Sequence, residues 1–156
     1  MGNDSLDFTI NTLGPCTIQS PIKLSSVQGD MTANYVSDDS YVINNVNVYD
    51  KTKPIILDST NLIEKAGPRE KIFFDPAHAK AGICTCGGLC PGLNDVIRAV
   101  VRCLNTRYGV KTVKGYQFGF HGFFAESGYE PIELDRYLID EIHKIGGTYL
   151  GTSRGG

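Results

Sequence analysis

The sequence predicts an α/β protein: the start of a doubly wound, mainly parallel sheet, preceded by an irregular or β-containing N-terminal extension. Three observations carry that reading. From residue 81 onward, short runs of small or β-branched residues alternate with segments of helical period, the pattern of βαβ units. A turn-rich glycine loop, Gly87-Gly-Leu-Cys-Pro-Gly92, joins the first of these strands to the first helix. The chain before it is rich in Asn, Asp, Ser and Thr and shows no sustained period. Residues 1–80 therefore read as the extension and residues 81–156 as the first part of an α/β domain.

The elements come in order along the chain. Residues 1–30 contain Gly14-Pro15 and Ser20-Pro21 and read as irregular chain. Residues 41–49 are mostly β-branched and aromatic, which predicts a strand or a loose hairpin turning at Asn44-Asn45. Ala66-Gly-Pro-Arg69 and Asp75-Pro76 punctuate the chain ahead of the new unit. Residues 81–86 form the first strand. After the glycine loop, Asn94 or Asp95 can cap a helix running to about residue 108. Its apolar stripe is Val96, Ile97, Val100, Val101 and Leu104, and Asp95, Arg98, Arg102 and Asn105 share the solvated face. Gly109 closes it. A second strand at 110–116, an aromatic–glycine loop at 117–124, a helix at 135–145 and a short strand at 148–150 complete the reading. The second helix presents Leu138, Ile142 and Ile145, with Gly146 as its stop.

Composition bounds the function. The 156 residues are 41% apolar and 21% charged, ordinary values for a folded domain. A formal net charge of −2 lacks the basic excess of a nucleic-acid binder. No apolar run approaches the ~18 residues of a membrane helix. Met1-Gly-Asn-Asp-Ser-Leu6 has neither the basic region nor the apolar core of a secretory signal, and Leu6 stands where a myristoylation motif wants Ser or Thr. Five cysteines, an odd number, suit free thiols in a reducing compartment. A cytoplasmic protein without nucleic-acid or membrane partners is expected.

The chemistry concentrates in two places. In the glycine loop, successive backbone N–H groups backed by a helix start can cradle phosphate, because glycine lets the backbone approach an anion that a Cβ would hold off. Gly87 and Gly88 fit that need, although the loop matches neither common nucleotide fingerprint and a plain βα turn would look the same. The second place is Gly146-Gly-Thr-Tyr-Leu-Gly-Thr-Ser-Arg-Gly-Gly156, which delivers Arg154 toward the same sheet edge. Cys84, Cys86 and Cys90 raise a metal hypothesis, but a fourth ligand would have to be Cys103 or a distant His. Small apolar fillers are the expected role. His78, His121 and His143 are scattered and read as structural or solvated.

Together these residues resemble a known family. Gly82-Ile-Cys-Thr-Cys-Gly-Gly-Leu-Cys-Pro-Gly-Leu-Asn-Asp-Val-Ile-Arg98 resembles the first nucleotide-loop motif of the 6-phosphofructokinases, in the long plant- and protist-type branch related to the pyrophosphate-dependent enzymes. Gly115-Tyr-Gln-Phe-Gly-Phe-His-Gly-Phe123 and Ile145-Gly-Gly-Thr-Tyr-Leu-Gly-Thr-Ser-Arg-Gly155 are similar to its next landmarks, in order and spacing. The resemblance covers residues 64–156, with weaker signal before them.

The resemblance implies transfer of the γ-phosphoryl of ATP, with Mg2+, to fructose 6-phosphate in glycolysis. Pyrophosphate as donor and a non-catalytic nucleotide-binding module are the alternatives. It implies Gly88, Arg154 and Gly155 as nucleotide phosphate contacts. Phe120 falls where shorter relatives carry Tyr, so it keeps a stacking or packing role only. Arg98 and Arg102 match arginines of an allosteric site in short bacterial enzymes and are not counted in the site. The family's Gly-Gly-Asp and Thr-Ile-Asp-x-Asp motifs, which supply its magnesium ligand and its base, do not occur here. The isolated chain is thus expected to be inactive, with no catalytic or metal residue of its own, and the complete enzyme to be a homo-oligomer.

Overall fold

A computed structural model describes residues 6–27, 29–30 and 33–154. Residues 1–5, which include the Gly2 weighed for myristoylation, and the site candidate Gly155 lie outside the described residues. The chain divides into two compact units, Met1–Phe73 and Phe74–Gly156. Among the described residues, no helix is long and apolar enough to cross a membrane.

The first unit holds two small antiparallel pairs. Strand β1 (Ile18–Gln19) pairs with β4 (Lys71–Ile72), and β2 (Tyr41–Ile43) pairs with β3 (Leu62–Glu64). The hairpin expected at Asn44-Asn45 does not form. Instead the Asn44 and Asn45 N–H groups donate to the backbone and side-chain oxygens of Asn61, at 2.8 and 3.0 Å, carrying the chain away from β2. Val46, Val48 and Tyr49 are exposed. A β-branched run becomes a strand only when a neighbour covers one face, and these residues lack one.

The second unit is built on a three-stranded sheet in the order β5 (Lys80–Cys84), β6 (Thr112–Tyr116), β7 (Ile132–Glu133). β5 and β6 run parallel, with Ile83 opposite Gly115, and β7 returns antiparallel, with Ile132 opposite Gly115. The parallel pair is the βα crossover read from the sequence. β7 carries only two paired residues, too few to leave a period.

Helix α1 (Leu93–Cys103) continues into a π-helical turn at Leu104–Tyr108, and Gly109 ends it in the left-handed region. Its N-cap is Gly92 rather than Asn94 or Asp95, and no side chain caps it. The predicted stripe splits: Ile97 and Val101 are buried, whereas Val96 and Val100 are 59% and 41% exposed. Five apolar residues wrap farther around a helix than one packing surface can cover. Helix α2 (Arg136–Glu141) starts on an Asp135 cap whose carboxylate accepts the Leu138 N–H, then tightens into a 3₁₀ turn at Ile142–Lys144. Its core residues are Ile139 and Ile142, while Ile145 is exposed. They pack with Ile97, Val101, Val113 and Leu134 into one cluster.

The solvated face of α1 is not wholly solvated. Arg98 and Arg102, one turn apart, both approach Asp140 of α2, at 3.8 and 3.7 Å. A carboxylate on the facing helix draws both guanidinium groups in. The short strand expected at residues 148–150 is absent. Side chains and loop backbone take up the hydrogen bonds of that segment, and they do so at the edge where β5 ends.

Candidate functional site

Three segments meet where β5 ends: the glycine loop, the aromatic loop after β6, and the chain from Ile145 to Arg154. Cys84 is the last residue of β5, and Thr85 behind it is buried. The Thr85 hydroxyl donates to Gly151 O at 2.6 Å and sits 2.9 Å from Thr148 Oγ1. With its own proton committed to Gly151, Thr85 accepts from Thr148. The Gly87 N–H donates to Ser153 O at 3.0 Å, and Thr152 Oγ1 donates to Gly87 O at 2.9 Å. Gly87 adopts φ +89°, a conformation that suits glycine. Its N–H is therefore spent inside the protein.

The aromatic loop holds the other side of the same segment. The Phe118 N–H donates to Leu150 O and its carbonyl accepts the Ser153 hydroxyl, both at 2.8 Å. Phe118 packs on Tyr129 with ring centroids 4.6 Å apart, and Tyr116 stacks on Phe123 at 4.1 Å. Phe120 is exposed, 6.2 Å from the Phe123 ring. It packs at the loop surface.

These ties bring two predicted site residues together. A Cβ placed on Gly88 would lie 3.5 Å from Arg154 Nη2, so the guanidinium lies over the glycine. Arg154 is exposed and has no ion-pair partner among the described residues. Helix α1 begins a few residues beyond Gly88, at Leu93, and its first amides lack a side-chain cap. Helix α1 carries the Asp95 carboxylate in its first turn, close to Gly92, so positive charge at this edge comes from Arg154. A glycine backbone and an open guanidinium together offer hydrogen-bond donors and a fixed positive charge. That set suits an oxyanion.

The fold and this edge fit one family, and comparison decides which. Residues 80–156, from the first residue of β5 onward, match the phosphofructokinase family. Over these residues the chain belongs to that family. An ATP-dependent 6-phosphofructokinase of Borreliella burgdorferi is 43% identical over 158 aligned positions, which cover 99% of this chain and 34% of that protein. The chloroplastic ATP-dependent 6-phosphofructokinase 5 of Arabidopsis thaliana is 53% identical over 94 residues, 60% of this chain and 17% of the relative. The Trypanosoma cruzi ATP-dependent enzyme is 47% identical over 94 residues, again 60% of this chain and 19% of the relative. The chain spans about a third or less of the length of these phosphofructokinases. The Borreliella match also takes in most of residues 1–63, where the motifs alone carry weak signal.

Sequence reasoning missed the residues that build this site from behind. Asn94 reads as a helix cap but is buried, with both ends of its amide bound to backbone between Ile145 and Tyr149. Thr85, Thr148 and Thr152 carry no signal, because their partners lie more than 60 residues away. A cavity of about 680 Å³ in the first unit, lined in part by Val46, Tyr49 and Ile56, includes none of the predicted phosphofructokinase site residues.

The thiols show no converged metal set. Among the described residues, no group of three or more His, Cys, Asp or Glu side chains could hold a metal ion. Cys84 and Cys86 lie with their sulfurs 3.8 Å apart, both free. Burial, and then the Cys86 thiol beside it, push the Cys84 thiol above the usual range. Cys86 is exposed, so alkylation followed by mass spectrometry should label Cys86 well before Cys84. Equal rates at the two sulfurs would contradict this placement.

Proposed function

We propose that this chain supplies the nucleotide phosphate-binding part of an ATP-dependent 6-phosphofructokinase. The reaction is transfer of the γ-phosphoryl of ATP to the 1-hydroxyl of fructose 6-phosphate, in the cytoplasm and within a homo-oligomeric enzyme. The observation that carries the reading is Arg154 laid over Gly88 at the carboxyl end of β5, close in sequence to the uncapped start of α1. The names of the relatives supply the donor and the activity.

Phosphoryl transfer asks a protein chiefly for position and charge neutralisation. Gly88 would let the phosphate chain approach the backbone, and the Arg154 fork would donate two hydrogen bonds to its oxygens. Gly155, next in the chain, completes the proposed contact set. Mg2+ would accompany ATP and neutralise part of its charge. The donor set among the described residues does not fit that ion, so no step here runs through it.

Calorimetric titration of this chain with MgATP, and separately with magnesium pyrophosphate, tests the assignment. MgATP should bind, and Arg154→Ala should weaken it by about tenfold, the scale of a charge-assisted hydrogen bond. Binding of pyrophosphate without ATP would replace the donor. Binding of neither would reject the reading.

A further inference from the structure

We infer that Asn94 is a positioning residue: from inside α1 it sets the root of the arm that carries Arg154. The inference rests on the proposed phosphate role of Arg154. Asn94 is the second residue of α1 and only 2% exposed. An amide so buried must find partners, and a helix start would ordinarily provide them locally. Here both partners are distant in sequence. Asn94 Nδ2 donates to Ile145 O at 2.8 Å, and Asn94 Oδ1 accepts the Tyr149 N–H at 2.6 Å.

Those two backbone groups bracket Gly146 and Gly147, the latter in the left-handed region. Two glycines in succession make the most adjustable stretch of backbone between α2 and Arg154. A side chain gripping both flanks with a donor and an acceptor removes that freedom and orients the chain from Leu150 to Arg154. The rest of the arm is then laced to the glycine loop through Thr85 and Gly87, and to Phe118 of the aromatic loop. Of these ties, only Asn94 belongs to α1, the helix that directly follows the glycine loop. It thus fixes the Arg154 arm against the end of the glycine loop, where α1 starts, in one geometry. A displacement of either by about 1 Å would separate the guanidinium from an anion resting on Gly88.

The test is a double-mutant cycle read by MgATP titration of the full chain, with circular dichroism and thermal melting to verify folding. In the parent chain, Arg154→Ala should weaken binding by about tenfold. In an Asn94→Ala background the same change should cost less than about twofold, since the guanidinium is already misplaced. Asn94→Asp keeps the shape and the acceptor but loses the donor to Ile145, and should show the same coupling in part. It also serves as the reading where Asn94→Ala melts below the assay temperature. A merely structural Asn94 would lower the melting temperature and leave the Arg154→Ala effect at about tenfold, which overturns the inference. If Arg154→Ala has no effect in the parent chain, the phosphate role of Arg154 itself fails, a result distinct from an uncoupled cycle.

Discussion

Gly88→Ala is expected to weaken MgATP binding by about tenfold while leaving the chain folded. The fold tolerates the methyl. Gly88 is not among the glycines with positive φ, and the nearest atom to an added Cβ is Arg154 Nη2 at 3.5 Å, an ordinary van der Waals distance. The cost arises only when a phosphate must approach the same backbone, where the methyl takes its place and hydrogen bonds to a charged group are lost. Gly87→Ala provides the contrast. Its φ of +89° makes any side chain strained, so that substitution should lower stability by about 1 kcal/mol through the backbone alone. Titrations in which Gly88→Ala changes the affinity for neither ATP nor pyrophosphate would remove Gly88 from the site.

Ile139→Ala should have the largest effect on stability. Ile139 is fully buried on α2 and belongs to the cluster formed with α1 and the sheet. Truncating it leaves a cavity and costs about 3 kcal/mol. For a unit of this size that corresponds to a fall of about 15 °C in melting temperature. Val96→Ala on α1 is the control, since Val96 is 59% exposed and its truncation should stay within about 0.5 kcal/mol. The opposite ranking, with Val96 costly and Ile139 cheap, would mean that the helices pack on the faces their periodicity suggests rather than those observed.

The parallel pair β5–β6 and the helix between them were legible because each is written locally. A small-residue strand, a glycine loop and a helical period lie within one stretch of about 35 residues. Gly88 and Arg154 were legible as separate chemical signals, a phosphate-compatible loop and a guanidinium aimed at the same edge. The failures have a common cause. The run at residues 41–49 has the right residues for a strand, yet only Tyr41–Ile43 finds a partner, in Leu62–Glu64. Residues 148–150 have the composition of a strand, but their hydrogen bonds go to Asn94 and Phe118 instead of a neighbouring strand. Arg98 and Arg102 look solvated until α2 brings Asp140 within reach of both.

What the sequence determined by itself is the family, the parallel strand–helix–strand unit that opens the α/β part and the residue types proposed to meet a phosphate, since all three are properties of short, contiguous strings. What only the tertiary structure decided is which of those residues act together. Arg154 reaches Gly88 because Asn94, Thr85, Gly87 and Phe118 hold the intervening chain by hydrogen bonds that join residues far apart in sequence. Such bonds have no period. They depend on where a donor and an acceptor arrive after the helices have packed, and that position is set by burial of Ile97, Val101, Ile139 and Ile142 rather than by anything in the loops themselves.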